Sequence, residues 1–181
     1  MTWRAIGATV ILALASAATA AHADQRRGGM TGGVSVGGGL VESKAFVQPG
    51  LGVTLGAHLG WLAAGADGRL GAEVQLFGSQ FRADSLADVD GVLVGALRAY
   101  PLPRVALTLG LGVTAAEDNT ESFVAGGAAF AATAGVELNR WRRASLSLQV
   151  FSYGGRFDEG TWYHLGVGLG VDFYSLSTPP R

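Results

Sequence analysis

The stretch Val105-Ala-Leu-Thr-Leu-Gly-Leu-Gly-Val-Thr114 alternates large apolar residues with small or polar ones, and it decides the fold. A period of two is typical of a β-strand, because successive side chains leave opposite faces. Residues 160–174 repeat the pattern. Extended along the chain, the same period predicts eight strands, at roughly 32–40, 50–62, 69–80, 91–100, 104–115, 124–138, 143–153 and 160–174.

The composition excludes several classes of protein. Of the 181 residues, 29 are glycine, none is cysteine, 49% are hydrophobic and 15% are charged, and the formal net charge is −1. A chain without cysteine has neither a disulfide scaffold nor a thiolate metal site. Near neutrality without a basic cluster argues against nucleic-acid binding. Because no long apolar run follows the N-terminal segment, the high apolar content indicates a membrane protein built from strands.

The first 23 residues have the features of a cleaved signal peptide. Arg4 supplies a positive charge, residues 5–21 are small and apolar, and Ala21-His22-Ala23 matches a cleavage site. The sequence therefore predicts an exported protein that begins at Asp24. Residues 24–181 then form a single barrel domain.

The two faces of the predicted strands separate a membrane barrel from a soluble one. The apolar faces carry no charged residue, and the opposite faces are rich in glycine, alanine, serine and threonine. A soluble barrel would place the apolar face inside and coat its outside with charge, for which these polar faces hold too few charges. The sequence predicts an all-β, eight-stranded antiparallel up-and-down transmembrane β-barrel with its apolar faces against lipid.

The connections and the aromatic residues suggest how this barrel is oriented. Short links at 63–68, 101–103 and 139–142 are expected to face the periplasm, and the links at 41–49, 81–90, 116–123 and 154–159 are expected to be longer, acidic and external. Aromatic residues near the strand ends predict two interfacial belts. The periplasmic belt would hold Trp61, Tyr100, Trp141, Phe173 and Tyr174, and the outer belt Phe77, Phe81, Phe123, Phe151, Tyr153, Trp162 and Tyr163.

A charged cluster inside the barrel is the candidate functional site. Reflection through a loop centred near residue 85 or 86 places Glu73 almost opposite Arg98, within reach of an ion pair. Glu137, Asp172 and His58 have the same inward parity and lie near the periplasmic ends of their strands. Because an eight-stranded barrel is just wide enough for side chains to fill, we expect these five residues to occlude the lumen.

With eight alternating segments ending at Phe173-Tyr174, the predicted mature chain resembles the small eight-stranded outer-membrane barrels of the OmpA/OmpX-like and opacity-protein-like families. The resemblance implies a bacterial outer-membrane location and assembly from the periplasm by chaperones and the barrel-insertion machinery. It also implies contact with outer-membrane lipid and lipopolysaccharide. The chain departs from the families' pattern in one respect, since residues 175–181 follow the aromatic end of the last strand.

No catalytic motif accompanies this architecture. The phosphate loop and the zinc helix H-E-x-x-H are absent. The string G-x-S-x-G occurs once, at Gly33-Val-Ser-Val-Gly37, but inside a predicted strand rather than at the strand-to-helix turn that a nucleophile elbow needs. We therefore expect a non-enzymatic, monomeric surface or structural protein, involved in adhesion or minor solute passage, without cofactor, metal or nucleic-acid partner. Two alternatives stay open. One is a carrier of a small amphiphile in the lumen, and the other is a lipid A-modifying enzyme in which His164 faces Ser152 or Glu159.

Overall fold

Eight β-strands make up nearly all of the residues that the computed structural model describes, which are 28–43, 50–63, 69–83, 86–118, 123–141, 143–157 and 160–175. The predicted signal peptide, residues 1–23, lies outside the described residues. The strands are β1 (Gly29–Ser43), β2 (Gly50–Leu62), β3 (Leu70–Ala83), β4 (Leu86–Leu102), β5 (Val105–Asp118), β6 (Phe123–Arg140), β7 (Ala144–Phe157) and β8 (Gly160–Tyr174).

The strands close into a single barrel in chain order. Each strand pairs antiparallel with its neighbours along the chain, and β8 pairs with β1 from Thr31↔Tyr174 to Ser43↔Trp162. The predicted eight-stranded antiparallel up-and-down fold is confirmed. Within the described part of the chain, no helix is both long and apolar enough to cross a membrane.

The barrel has two different ends. The terminal end holds the start of β1, the end of β8 and the three turns β2–β3, β4–β5 and β6–β7; the hairpin end holds the other four links. The prediction of long links at 81–90 and 154–159 is wrong. β3 runs to Ala83 and β4 begins at Leu86, while β7 runs to Phe157 and β8 begins at Gly160. The backbone ladder continues through these acidic segments instead of opening into loops.

The two faces of the wall have the predicted character. Outward positions carry exposed leucine and valine, with Leu109 and Leu111 67% and 75% exposed. Inward positions carry glycine, small polar residues and the buried charged groups Glu73, Arg98 and Asp172. In β5 adjacent residues lie on opposite faces of the wall, since Thr108 is buried and the next residue, Leu109, is exposed. The alternation of the sequence is therefore an alternation between the outside and the lumen.

An aromatic layer fills the lumen toward the hairpin end. Phe77 and Tyr153 stack with ring centroids 5.0 Å apart, and Phe151 lies 6.0 Å from Tyr153. Trp162 meets Tyr153 edge-on at 5.9 Å. The rings pack against buried small and β-branched residues of β4 and β6, which are Val92, Val94, Ala96, Ala129 and Ala131.

Glycines on β1 and β8 make the room that this layer needs. A Cβ atom at Gly166 would lie 2.5 Å from Phe151 Cζ, and one at Gly37 would lie 2.6 Å from Phe151 Cε1. Among the described glycines only Gly29 has a positive φ, of 76°. Gly37 and Gly166 therefore provide space for the Phe151 ring rather than unusual backbone angles.

Half of the predicted interfacial aromatics lie inside the barrel instead. Trp61, Trp141, Tyr163 and Phe173 are exposed on the outer surface, while the side chains at 81 and 123 are not described. The prediction of rim positions is wrong for six buried residues, which are Phe77, Tyr100, Phe151, Tyr153, Trp162 and Tyr174. The reason is strand parity: each has the inward parity of its strand, and the narrow lumen needs large side chains to fill it.

The contact between Phe151 and the glycines predicts a substitution effect that depends on position. Gly166→Ala would overpack the lumen and should lower the free energy of unfolding by about 1–3 kcal/mol. Gly95→Ala is the matched control, because a Cβ there has no atom within 4 Å. Urea unfolding of the barrel folded in lipid vesicles would measure both variants. Equal stabilities would contradict the proposed role of Gly166 as space for the ring.

Candidate functional site

Arg98 is the centre of a buried charge layer toward the terminal end. Its Nε lies 2.8 Å from Glu73 Oε2, and its Nη1 donates a hydrogen bond of 3.0 Å to Asp172 Oδ1. The Nε–H does not point at Oε2, so that contact is an ion pair, and Nη2 supplies a hydrogen bond of 3.3 Å to Glu73 Oε1. All three residues are at most 5% exposed. One guanidinium thus bridges carboxylates from β3 and β8 across the lumen.

His58 joins the same layer from β2. Its Nε2 lies 3.2 Å from Asp172 Oδ1, the oxygen that also accepts from Arg98. Strand pairing explains the approach, because His58 pairs with Gly33 and Gly33 pairs with Asp172. A Cβ at Gly33 would lie 2.6 Å from His58 Cε1. The glycine between the two strands therefore lets the imidazole reach the carboxylate.

Glu73 and Arg98 form the expected ion pair, but their positions in the ladder differ from the prediction by two residues. Glu73 pairs with Ala96, and Arg98 pairs with Gly71, so the ion pair is diagonal. The hairpin is tighter than the sequence suggested, because Ala83 pairs with Leu86 and moves the centre of reflection. The long arginine side chain spans the diagonal.

Glu137 is connected to this layer through two tyrosines rather than directly. Arg98 Nη1 donates to Tyr100 OH at 3.2 Å, and the Tyr100 and Tyr174 hydroxyls lie 3.3 Å apart. Tyr174 OH donates to Glu137 Oε1 at 3.2 Å and lies 3.1 Å from Ser145 Oγ. The structure thus brings four of the five predicted residues into one cluster and links the fifth to it through hydroxyl groups.

The two tyrosines are the residues that the sequence interpretation missed. Tyr100 lies two residues after Arg98, and Tyr174 lies two residues after Asp172. In a strand, residues two apart share a face, so the parity that identified Arg98 and Asp172 also places both tyrosines inside. With Leu62 they form a buried hydrophobic cluster between the charge layer and the terminal end of the barrel.

Amides and hydroxyls extend the network toward the middle of the lumen. Gln75 Nε2 donates to Glu73 Oε1 at 2.6 Å, Ser147 Oγ donates to Asp172 Oδ2 at 3.4 Å, and Gln149 Nε2 donates to Ser147 Oγ at 2.9 Å. A cavity of about 20 Å³ lies beside Arg98 and Asp172. That volume holds about one water molecule. The layer is therefore nearly solid and has no room for a small-molecule substrate.

A second polar group lies within the aromatic layer. His164 Nδ1 lies 2.8 Å from Tyr153 OH and 3.1 Å from Thr54 Oγ1. The expected approach of His164 to Ser152 is wrong, because Ser152 pairs with Leu165 on the outward face. Glu159 lies outside the described residues. His164 is therefore fully buried, and its side-chain hydrogen-bond partners among the described residues are a tyrosine and a threonine rather than a serine.

The chemistry of both networks is that of packing and charge balance. Within the described ranges, no three histidine, aspartate or glutamate side chains are arranged to hold a metal ion. Arg98 occupies the place between the carboxylates where a cation would otherwise bind. Buried carboxylates that already accept from a guanidinium, an amide and hydroxyl groups are poorly suited to general-base chemistry.

The dependence of Glu73 and Asp172 on Arg98 predicts a large loss of stability when the arginine is removed. Arg98→Met leaves two buried carboxylates without their cation and should lower the free energy of unfolding by about 3–5 kcal/mol. Arg69→Met, at an exposed arginine, should change it by less than about 0.5 kcal/mol. Adding Glu73→Gln and Asp172→Asn to Arg98→Met should recover part of the loss. Unfolding in urea would measure all three variants, and equal losses for Arg98→Met and Arg69→Met would contradict the role of the layer.

Comparison with known proteins finds similarity in fold but not in sequence. No protein-family model matches the chain, and no curated protein matches it in sequence. Among solved structures, neisserial surface protein A superposes with a TM-score of 0.61 at 10% identity, over 81% of this chain and 96% of that one. Ail, the attachment invasion locus protein of Yersinia pestis, has a TM-score of 0.53 at 12% identity, over 81% and 99%. Ail in complex with the heparin analogue sucrose octasulfate has a TM-score of 0.50 at 14% identity, over the same shares. At these identities the likeness concerns the fold, and the chain has the fold of the small eight-stranded outer-membrane barrels.

Proposed function

We propose that the chain is a non-enzymatic integral protein of the bacterial outer membrane, with a closed lumen and a role at the cell surface. The observation that carries the proposal is the outer face of the barrel. Exposed apolar side chains follow every strand, among them Val34, Leu55, Leu76, Leu97, Leu109, Leu169. A soluble monomer rarely exposes an apolar area of this extent. A lipid bilayer covers such a band, and a closed barrel leaves no unpaired strand edge within it.

The orientation follows from the class of barrel. Both termini of an eight-stranded barrel lie at one end, which faces the periplasm in outer-membrane barrels. The proposed signal peptide delivers the chain to that compartment. Chaperones and the barrel-insertion machinery are the expected partners during assembly, and lipopolysaccharide surrounds the hairpin end in the outer leaflet.

The filled lumen argues against the carrier alternative. The aromatic layer occupies the half toward the hairpin end, and the charge layer occupies the half toward the terminal end. The cavity beside Arg98 holds about one water molecule, whereas ligand pockets for small molecules are about 300–1,000 Å³. An amphiphile would have to displace packed rings or break ion pairs to enter.

The buried position of His164 argues against the lipid A-modifying alternative. An enzyme acting on lipid would need its base near a nucleophile that the lipid can reach. His164 is 0% exposed and contacts Thr54 and Tyr153, while Ser152 lies on the opposite face of the wall. The proposed function is accordingly non-enzymatic.

Charge at the hairpin end limits the kind of surface partner. The sequence places nine acidic and three basic residues in the segments 41–49, 81–90, 116–123 and 154–159. One structure of Ail contains a heparin analogue, which is polyanionic. An acidic end would repel such a ligand, because like charges raise the energy of association. The sulfated sugar of Ail is therefore not part of the function that we propose.

The lipid-facing band predicts a penalty that depends on depth. Leu109→Arg, near the middle of β5, should destabilise the barrel folded in vesicles and lower its free energy of unfolding by about 2–4 kcal/mol. Leu102→Arg makes the same change at the exposed last residue of β4, at the terminal end, and should cost at most about 1 kcal/mol. Folding can be followed by the heat-modifiable shift in gel mobility and by urea titration. Equal penalties for the two variants, or a wild type that stays soluble without detergent, would overturn the membrane assignment.

The two filled layers predict a barrel that is closed to ions. In planar bilayers the wild type should show almost no conductance, and Arg98→Ala alone should add little because the aromatic layer still blocks the lumen. The double variant Arg98→Ala with Phe151→Ala should conduct several-fold more often, with cation preference from Glu73 and Asp172. A wild type that conducts freely would show that the lumen is not closed.

A further inference from the structure

Each turn at the terminal end finishes with an arginine in the same structural position. Arg69, Arg104 and Arg143 immediately precede β3, β5 and β7. The carbonyl of each accepts a hydrogen bond from the neighbouring strand, donated by the amides of Tyr100, Glu137 and Tyr174 at 2.7, 2.9 and 2.9 Å. The backbone thus fixes the three Cα positions at one level around the barrel. We call these three residues the arginine collar.

The collar carries positive charge that no described carboxylate balances through an ion pair. Arg69 and Arg143 are exposed, Arg104 is half-buried, and none of the three forms an ion pair with a described residue. Arg104 Nε is itself buried and makes no hydrogen bond within the described ranges. The described carboxylates nearest this end, Glu73, Glu137 and Asp172, are all buried in the lumen. Among the side chains described at this end, the charged groups on the outer surface are therefore all basic.

Apolar surface lies directly beside Arg69, and exposed tryptophans lie at the same end of the barrel. Arg69 borders an open groove of about 340 Å³, which Leu70, Ala99 and Pro101 also line. Trp61 and Trp141 are exposed at the same end, and Trp141 lies two residues before Arg143. Tryptophan on a membrane protein typically lies at the level of the lipid headgroups. The collar thus lies at the level of two interfacial rings, and at Arg69 it adjoins an apolar groove.

We infer that the arginine collar binds the phosphate headgroups of anionic phospholipids in the periplasmic leaflet. The inference rests on the proposed membrane function. A guanidinium binds a phosphate through paired hydrogen bonds, and the neighbouring groove accepts the upper part of an acyl chain. A soluble acidic partner would use the charges but not the apolar groove, which favours the lipid.

The exposed tryptophans provide a direct measurement of this binding. The mature barrel is folded into phosphatidylcholine vesicles that contain either brominated phosphatidylglycerol or brominated phosphatidylcholine, and the bromine quenches tryptophans that contact the labelled lipid. Trp61 and Trp141 lie on the lipid-facing surface near the collar, whereas Trp162 is buried in the lumen. Phosphatidylglycerol should quench more strongly at equal content, with a relative affinity of roughly five-fold for each arginine in contact.

The variants separate the collar from general attraction of charge. The triple variant Arg69→Gln, Arg104→Gln, Arg143→Gln keeps the three backbone carbonyls and should bring the ratio of the two affinities close to one. Arg156→Gln removes an exposed arginine at the hairpin end and should leave the ratio unchanged. Salt at 1 M, which shortens the Debye length to about 3 Å, should weaken the preference of the wild type.

Several outcomes would overturn the inference. Equal quenching by the two lipids in the wild type would do so, as would a preference that survives in the triple variant. Sedimentation of the detergent-solubilised barrel with purified peptidoglycan, lost in the triple variant and without any lipid preference, would assign the collar to the cell wall instead. Failure to insert into vesicles would overturn the membrane assignment and the inference together, whereas insertion with equal quenching overturns only the inference.

Discussion

Closure of the sheet between β1 and β8 is the constraint on which the rest of the structure depends. It pairs the backbone groups of both outer strands, so that no unpaired edge faces the surroundings. It also fixes a lumen that eight strands make just wide enough for side chains. Large rings on one part of the wall then require glycine on another, as Phe151 requires Gly37 and Gly166. The glycines of the wall and the packing of rings in the lumen are thus both consequences of the closure of the barrel.

Strand parity was readable from the sequence because closure makes it strict. The alternation along residues 105–114 predicted both the strand and its outward face, and Arg98 and Asp172 were recognised as inward by the same count. The inward position of the aromatic rings was not predicted, because an aromatic residue near a strand end suits a membrane interface as well as a lumen. Parity alone would have placed Tyr100 and Tyr174 beside the charges.

Features that depend on tertiary contact were not accessible in the same way. The diagonal pairing of Glu73 with Arg98 depends on the β3–β4 hairpin, whose ladder runs to Ala83↔Leu86 through an acidic segment that reads as a loop. The role of Gly166 depends on a ring from β7 that lies fifteen residues away in sequence. A sequence pattern reports which face a residue occupies, whereas the partner across the lumen follows from register and closure. The cluster was therefore predicted as a set of residues but not as a set of contacts.

Register also gives a reason for burying charge in a barrel that apolar residues could fill. A buried ion pair contributes little net stability, because removing both partners from water offsets most of their attraction. A slip of β4 by one residue, however, would turn Arg98 out of the lumen and toward lipid, at a cost of about 2–4 kcal/mol near the midplane and less near the rim. The same slip would leave Glu73 and Asp172 buried without their cation. In an apolar strand such as β5 the penalty for a slip is steric instead, because its leucines would enter a lumen that leaves no room for a Cβ at Gly110 or Gly112. The charge layer thus adds an electrostatic penalty for a slip of β4 to the steric penalty that packing of the lumen already imposes.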